Sequence, residues 1–165
     1  MLDDELVQQA VALGEELQQR GLMLAIAESC TGGLIAAAVT AVPGSSQWFE
    51  RGFITYTNRA KVEMLGVRAT TLDAHGAVSE AVVREMAAGA LHHSHAQVSL
   101  AVSGIAGPGG ATPGKPVGMV CLAWDGEGMD ARACTLRFAG DRHQVRRRAV
   151  LSALQGVMSL LAARD

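Results

Sequence analysis

Apolar residues recur along this chain with two periods, and each period predicts its own kind of element. From 3 to 20, Leu6, Val7, Ala10, Leu13 and Leu17 share one helical face, Asp3 stands where an N-cap belongs, and Gly21 ends the segment. The unbroken run Leu22-Met23-Leu24-Ala25-Ile26-Ala27 predicts a buried strand over 22–27. A polar turn and a helix over 32–41 follow, and Pro43-Gly44-Ser45-Ser46 breaks that helix. Gly52-Phe53-Ile54-Thr55-Tyr56 has the composition of a strand, and Asn58 is placed to cap a short helix that carries Lys61 and ends near Gly66. Residues 67–78 read mostly as loop. Ser79 opens a helix over 79–93 whose buried face is Val82, Val83, Met86, Ala87, Ala90 and Leu91. A strand over 98–102 leads into a Gly- and Pro-rich loop over 104–116, and its length points to a functional role. Segments 117–124 and 131–138 read as paired strands, and a last helix runs over 141–161. The order α-β-α-β-α-α-β-β-β-α predicts a three-layer α/β/α sandwich with a mixed sheet, a single domain over 1–165.

Composition narrows the classes. With 49% hydrophobic and 18% charged residues the chain is globular, and with only 4% aromatics its helices and sheet must pack closely on small side chains. A net charge of −2 supplies no basic field for nucleic acid. Three cysteines without paired spacing fit a reduced, cytoplasmic setting. The acidic start, read as the beginning of a helix, predicts no signal peptide, and no apolar run reaches the ~20 residues of a membrane span.

Chemistry concentrates where strands are expected to end. Ala27-Glu28-Ser29-Cys30-Thr31-Gly32-Gly33 would lie between a strand and a helix N-terminus, where unpaired N–H groups and the helix dipole favour an anion. Ser103-Gly104-Ile105-Ala106-Gly107-Pro108-Gly109-Gly110 follows a second strand, and two such loops suggest one site. Ser29 reads as a nucleophile or simply as a helix cap, and Cys30 as a competing nucleophile or a small buried hydrophobe. Lys61 serves as a base only if its pKa falls from about 10.4. The chain has two lysines, Lys61 and Lys115, against twelve arginines, and both lysines fall beside these loops. Tyr56 reads as a proton relay or a strand aromatic, and Ser46 as a bridge between Ser29 and Lys61 or a turn residue. The histidines at 92, 93 and 95 lack an acidic partner nearby in sequence and do not read as a metal site. Arg142, Arg146, Arg147 and Arg148 open the last helix, where arginine opposes the helix dipole and a compensating acid or a bound phosphate is expected.

Taken together, these stretches resemble the CinA C-terminal domain family, whose stand-alone members are nicotinamide-nucleotide amidohydrolases of the PncC type. The resemblance rests on the Ser29 and Ser103 loops, on Pro43-Gly44-Ser45-Ser46-Gln47-Trp48-Phe49-Glu50-Arg51-Gly52, and on Tyr56-Thr57-Asn58-Arg59-Ala60-Lys61. His75-Gly76-Ala77-Val78-Ser79, Lys115-Pro116-Val117-Gly118 and Gly140-Asp141-Arg142 complete it. It implies hydrolysis of the carboxamide of nicotinamide mononucleotide to nicotinic acid mononucleotide and ammonia, in pyridine-nucleotide recycling, with no metal or cofactor. It also implies Ser29 as nucleophile, Lys61 as base, and Ser46 and Tyr56 in the proton-transfer network. Backbone around Thr31, Gly32 and Gly33 would hold the oxyanion, and Ser103, Gly104, Gly107, Gly109 and Arg142 the nucleotide. The larger CinA proteins carry an additional N-terminal pyrophosphatase domain, and that activity is not carried over to this chain. Competing expectations are a non-catalytic mononucleotide-binding module using the same loops and a thiol hydrolase using Cys30. No membrane or nucleic-acid partner is expected, and alanine-rich faces of the first and third helices are candidates for a homo-oligomer contact.

Overall fold

The computed structural model describes residues 2–165. In chain order the elements are α1 (Asp4–Arg20), β1 (Leu24–Glu28), α2 (Leu34–Thr40), a 3-10 turn (Ser45–Gln47), β2 (Phe49–Ile54), α3 (Asn58–Leu65), α4 (Ala69–His75), α5 (Glu80–His92), β3 (Val98–Gly104), β4 (Met119–Gly126), β5 (Arg132–Arg137) and α6 (Arg142–Ala162). The strands form one mixed sheet in the order β2-β1-β3-β4-β5. The pairs β2–β1 and β1–β3 are parallel, whereas β3–β4 and β4–β5 are antiparallel.

Strand side chains alternate between two cores of different grain. Leu24, Ile26, Leu100, Val102, Leu122 and Trp124 pack on the layer of α1, α2 and α6, against Leu13, Leu17, Ile35, Val150 and Leu154. Ala25, Ala27, Ala101, Cys121 and Ala123 face the other way, toward Val82, Val83 and Met86 of α5 and Leu65 of α3. Period-two alternation sends successive residues to opposite faces, and here it separates large from small. The small face lets α5 lie close enough for the Ser99 hydroxyl to donate to the Ala87 carbonyl at 2.7 Å. The sandwich predicted from element order is therefore present, with a core on each side of the sheet.

Three local expectations change. Residues 69–75 are helical rather than loop, because Thr71 and Leu72 bury against the neighbouring layer, a tertiary gain that propensity does not register. Thr57, not Asn58, caps α3, its side chain accepting from the Ala60 amide. The second strand runs over 49–54 rather than 52–56, because its limits follow its partner, from Leu24 opposite Phe49 to Glu28 opposite Ile54. The ends of α1 agree with the sequence reading: Asp3 accepts from the Leu6 amide, and Gly21 terminates the helix at φ 66°. At α6 the expected acid is Asp141 in a capping box with Gln144, while Arg147 pairs with Asp3 and Glu5 and ties α6 to α1. Among the described residues, no helix is long and apolar enough to cross a membrane.

Candidate active site

Because β2, β1 and β3 are parallel, the loops after them open at the same edge of the sheet, where ligand crevices of open α/β sheets form. Ser29 follows β1 directly, and its amide donates to the Val102 carbonyl of β3 at 3.1 Å. Lys61 comes from α3, the helix that follows β2. Its Nζ lies 3.0 Å from Ser29 Oγ and donates to the Thr55 carbonyl at 2.9 Å. The Lys61 side chain is 1% exposed, and no carboxylate lies within ion-pair distance of it among the described residues. Burial therefore pushes its pKa below the ordinary 10.5, against a smaller opposing influence from Cys30. When the amine is neutral, its lone pair faces the serine hydroxyl, and the hydroxyl becomes the donor.

Ser29 is free for this role because Glu28 takes the capping duty. The Glu28 carboxylate, 1% exposed, accepts from the Ile35 and Ala36 amides at 2.9 and 3.1 Å and from the Thr31 hydroxyl at 2.6 Å. This corrects the expectation of an open helix N-terminus, since a buried protein anion already sits there. Gly32 donates its amide to the Ser29 carbonyl at 3.0 Å, so of the stretch expected to hold an oxyanion, Thr31 and Gly32 are scaffold. Gly33 is the N-cap of α2, at φ 101°. Arg146 braces the same loop from α6, donating to the Cys30 and Thr31 carbonyls at 3.1 and 3.3 Å.

Ser46 is not at this site. It lies in the 3-10 turn before β2, at the end of the sheet where Leu24 donates to the Trp48 carbonyl. Parallel pairing sets that end a full strand, roughly 13 Å at ~3.3 Å per residue, from the end that carries Ser29. Lys61 reaches Ser29 directly, and no bridge is required. Tyr56 stands at the rim, 59% exposed, its hydroxyl accepting from Arg142 at 3.0 Å rather than touching Ser29 or Lys61. Arg142 also donates to the Gly107 carbonyl at 2.9 Å, so Gly107 serves as an anchor for the arginine. Ser103, 2% exposed, and Gly104 line the cleft, whereas Gly109 is exposed and not part of its wall. Burial pushes the Cys30 thiol up to about 12, which leaves almost no thiolate near neutral pH.

The cleft has a volume of about 240 Å³, and its walls include Ser29, Lys61, Tyr56, Ser103, Arg142 and the turn Ala77-Val78. Its lining holds two basic side chains, Lys61 and Arg142, and no carboxylate. The CinA C-terminal domain model matches residues 6–161. The chain belongs to the CinA C-terminal domain family. It is 52% identical over 158 residues to the nicotinamide-nucleotide amidohydrolase PncC of Escherichia coli K12, covering 94% of each chain. It is 48% identical over 157 residues to the protein of the same name from Pseudomonas putida, covering 95% of this chain and 98% of that one. The crystal structure of the competence/damage inducible protein CihA from Agrobacterium tumefaciens superposes with a TM-score of 0.94 at 42% identity, covering 97% of this chain and 98% of that one. The sequence reading passed over Glu28 and the Ala77-Val78 wall, which lie within the stretches that carry the CinA resemblance, and Thr55, which lies just before one of them. Glu28 had one visible signal, an acid just before a helix start. Thr55 acts through its carbonyl, which no side-chain pattern announces.

Proposed function

We propose that this protein is a nicotinamide mononucleotide deamidase that works through a Ser29 nucleophile and a Lys61 base. The observation that carries the reading is the pairing of Lys61 Nζ with Ser29 Oγ at 3.0 Å, with the amine buried and lacking an anionic partner. A lysine so desolvated is neutral at lower pH than a free one and can take the serine proton. The pyridinium charge of the substrate pushes in the same direction, since a cation nearby disfavours the ammonium. The 52% identity to a protein named nicotinamide-nucleotide amidohydrolase supports the substrate.

The steps follow from the atoms in place. Neutral Lys61 accepts the Ser29 proton as Oγ attacks the carboxamide carbon. The Cys30 amide is the best-placed donor to the developing oxyanion: its peptide partner, the Ser29 carbonyl, is pinned by Gly32, so the Cys30 N–H points the opposite way. No other described residue accepts from it, and Cys30 borders the cleft. Such a donor contributes roughly 3–4 kcal/mol to the transition state in comparable sites. The Lys61 ammonium then protonates the leaving nitrogen and ammonia departs. Water, deprotonated by Lys61, cleaves the acyl-serine ester to the carboxylate and restores both side chains. No step calls on a metal or a cofactor. Residues 1–165 act as one domain in this reading, within pyridine-nucleotide recycling, in the cytoplasm.

The test is ammonia release from nicotinamide mononucleotide with chelator present, for the wild type and Ser29→Ala in parallel. Turnover by the wild type that disappears in Ser29→Ala is the expected result. Nucleotide binding without turnover by the wild type would overturn the enzyme and leave a mononucleotide-binding module.

A further inference from the structure

A second hollow adjoins the catalytic cleft. It has a volume of about 350 Å³ and is lined by His75, Gly76, Ile105, Thr112 and Lys115, together with Ala77 and Val78. Ala77 and Val78 also wall the cleft around Ser29, so one turn borders both hollows. Lys115, one of the two lysines of the chain, is the one fixed cation of the second hollow. Its backbone is held in a tight hairpin in which Thr112 and Lys115 exchange both amide bonds, at 3.0 and 2.9 Å. Its Nζ donates to the His75 carbonyl across the Gly76 turn, where a Cβ would sit 2.8 Å from that nitrogen. No carboxylate pairs with it among the described residues. Glu80, whose charge acts with that of Lys115 on the Cys121 thiol, is held by the Thr135 hydroxyl.

We propose that this second hollow is a phosphate subsite, in which Lys115 leaves the His75 carbonyl to pair with the 5′-phosphate of a mononucleotide. The inference rests on the amidohydrolase reading and specifies which part of the substrate the enzyme selects. With the carboxamide on Ser29 and the ring in the cleft, the ribose phosphate extends toward the open side, and the Ala77-Val78 turn leads from there to the second hollow. Arg142 belongs to the cleft itself and is committed to Gly107 and Tyr56. Lys115 has only a neutral carbonyl as partner, which a phosphate dianion readily replaces. A compact ammonium with three donors suits a phosphate as a point charge.

The test compares kcat/KM for nicotinamide mononucleotide and nicotinamide riboside in the wild type, Lys115→Met and Lys115→Arg. Methionine keeps the aliphatic stem in place and removes the charge. Losing one charged hydrogen-bonding partner is expected to lower kcat/KM for the mononucleotide roughly tenfold to hundredfold, through KM, and to narrow its advantage over the riboside by that factor. Lys115→Arg retains most of the advantage. Equal losses on both substrates, or none on either, would overturn the subsite. Titration with ribose 5-phosphate gives a second reading that needs no turnover. Weaker binding by Lys115→Met than by the wild type supports the subsite, whereas equal affinity, or no binding by the wild type, refutes it. Absence of ammonia release by the wild type would remove the amidohydrolase reading, and the titration would still decide the role of Lys115.

Discussion

Lys61→Met separates the catalytic from the structural consequences of burying a lysine. In activity, the loss is expected to be about 10²–10⁴-fold in kcat, the usual contribution of a positioned general base. Nothing else among the described residues is hydrogen-bonded to Ser29 Oγ, so no substitute base takes over. In the proposed mechanism serine and lysine act as one unit, so Ser29→Ala/Lys61→Met is expected to be no slower than the slower single variant. In stability the variant loses the bond to the Thr55 carbonyl, a cost of about 1–3 kcal/mol if that oxygen stays dry. It also removes a buried amine that has no anionic partner. The folded-state pKa of Lys61 lies below 10.5, so between those two values the unfolded chain binds one proton more than the folded one. Stability of the wild type therefore rises with pH across that window, by up to about 1.36 kcal/mol per pH unit, and is lost again as pH falls through the folded pKa. Lys61→Met lacks this slope. Chemical denaturation of both proteins from pH 6 to 10.5 reads it as a difference, in which groups common to both, the Cys30 thiol among them, cancel. A stability difference that stays constant across the whole range would mean that Lys61 titrates like a free lysine, and the neutral-base argument would fail.

Three further results follow from the packing of the site and the core. Cys30→Ala and Ser46→Ala are each expected to keep kcat within about threefold of the wild type, the first because a thiol raised to about 12 is no nucleophile and the second because Ser46 sits at the other end of the sheet; a loss as large as that of Ser29→Ala in either would reverse the assignment. Gly156→Ala puts a methyl 2.0 Å from the Trp124 indole, whose Nε1 is fixed on the Ala153 carbonyl at 2.9 Å, and is expected to cost about 1–3 kcal/mol in urea denaturation with little change in KM.

What the sequence determined by itself is the set of elements apart from α4, and a pair of candidate residues for chemistry. Helical and two-residue periods of apolar positions mark which face of each element is buried, and those marks hold for α1, α5, β1 and β3 because burial drives their folding. Ser29 stood out as a hydroxyl at a strand end, and Lys61 as one of only two lysines, both beside such loops. Tertiary structure decided what each of these residues does. Periodicity tells which side of a strand faces inward and says nothing about which strand lies beside it. Only the parallel register of β1 and β2 reveals that their starts share one end of the sheet, with Ser46, and their finishes the other, with Ser29 and Lys61. The helix cap of α2 likewise passed from Ser29 to Glu28, and α4 formed where local propensity was weak, because burial elsewhere in the chain outweighed it. The lowered pKa of Lys61 is the clearest case. A lysine on an isolated helix is a solvated cation, and its pKa falls only when the sheet edge, the Ser29 turn and the Thr55 carbonyl close around it and exclude both water and counter-charge.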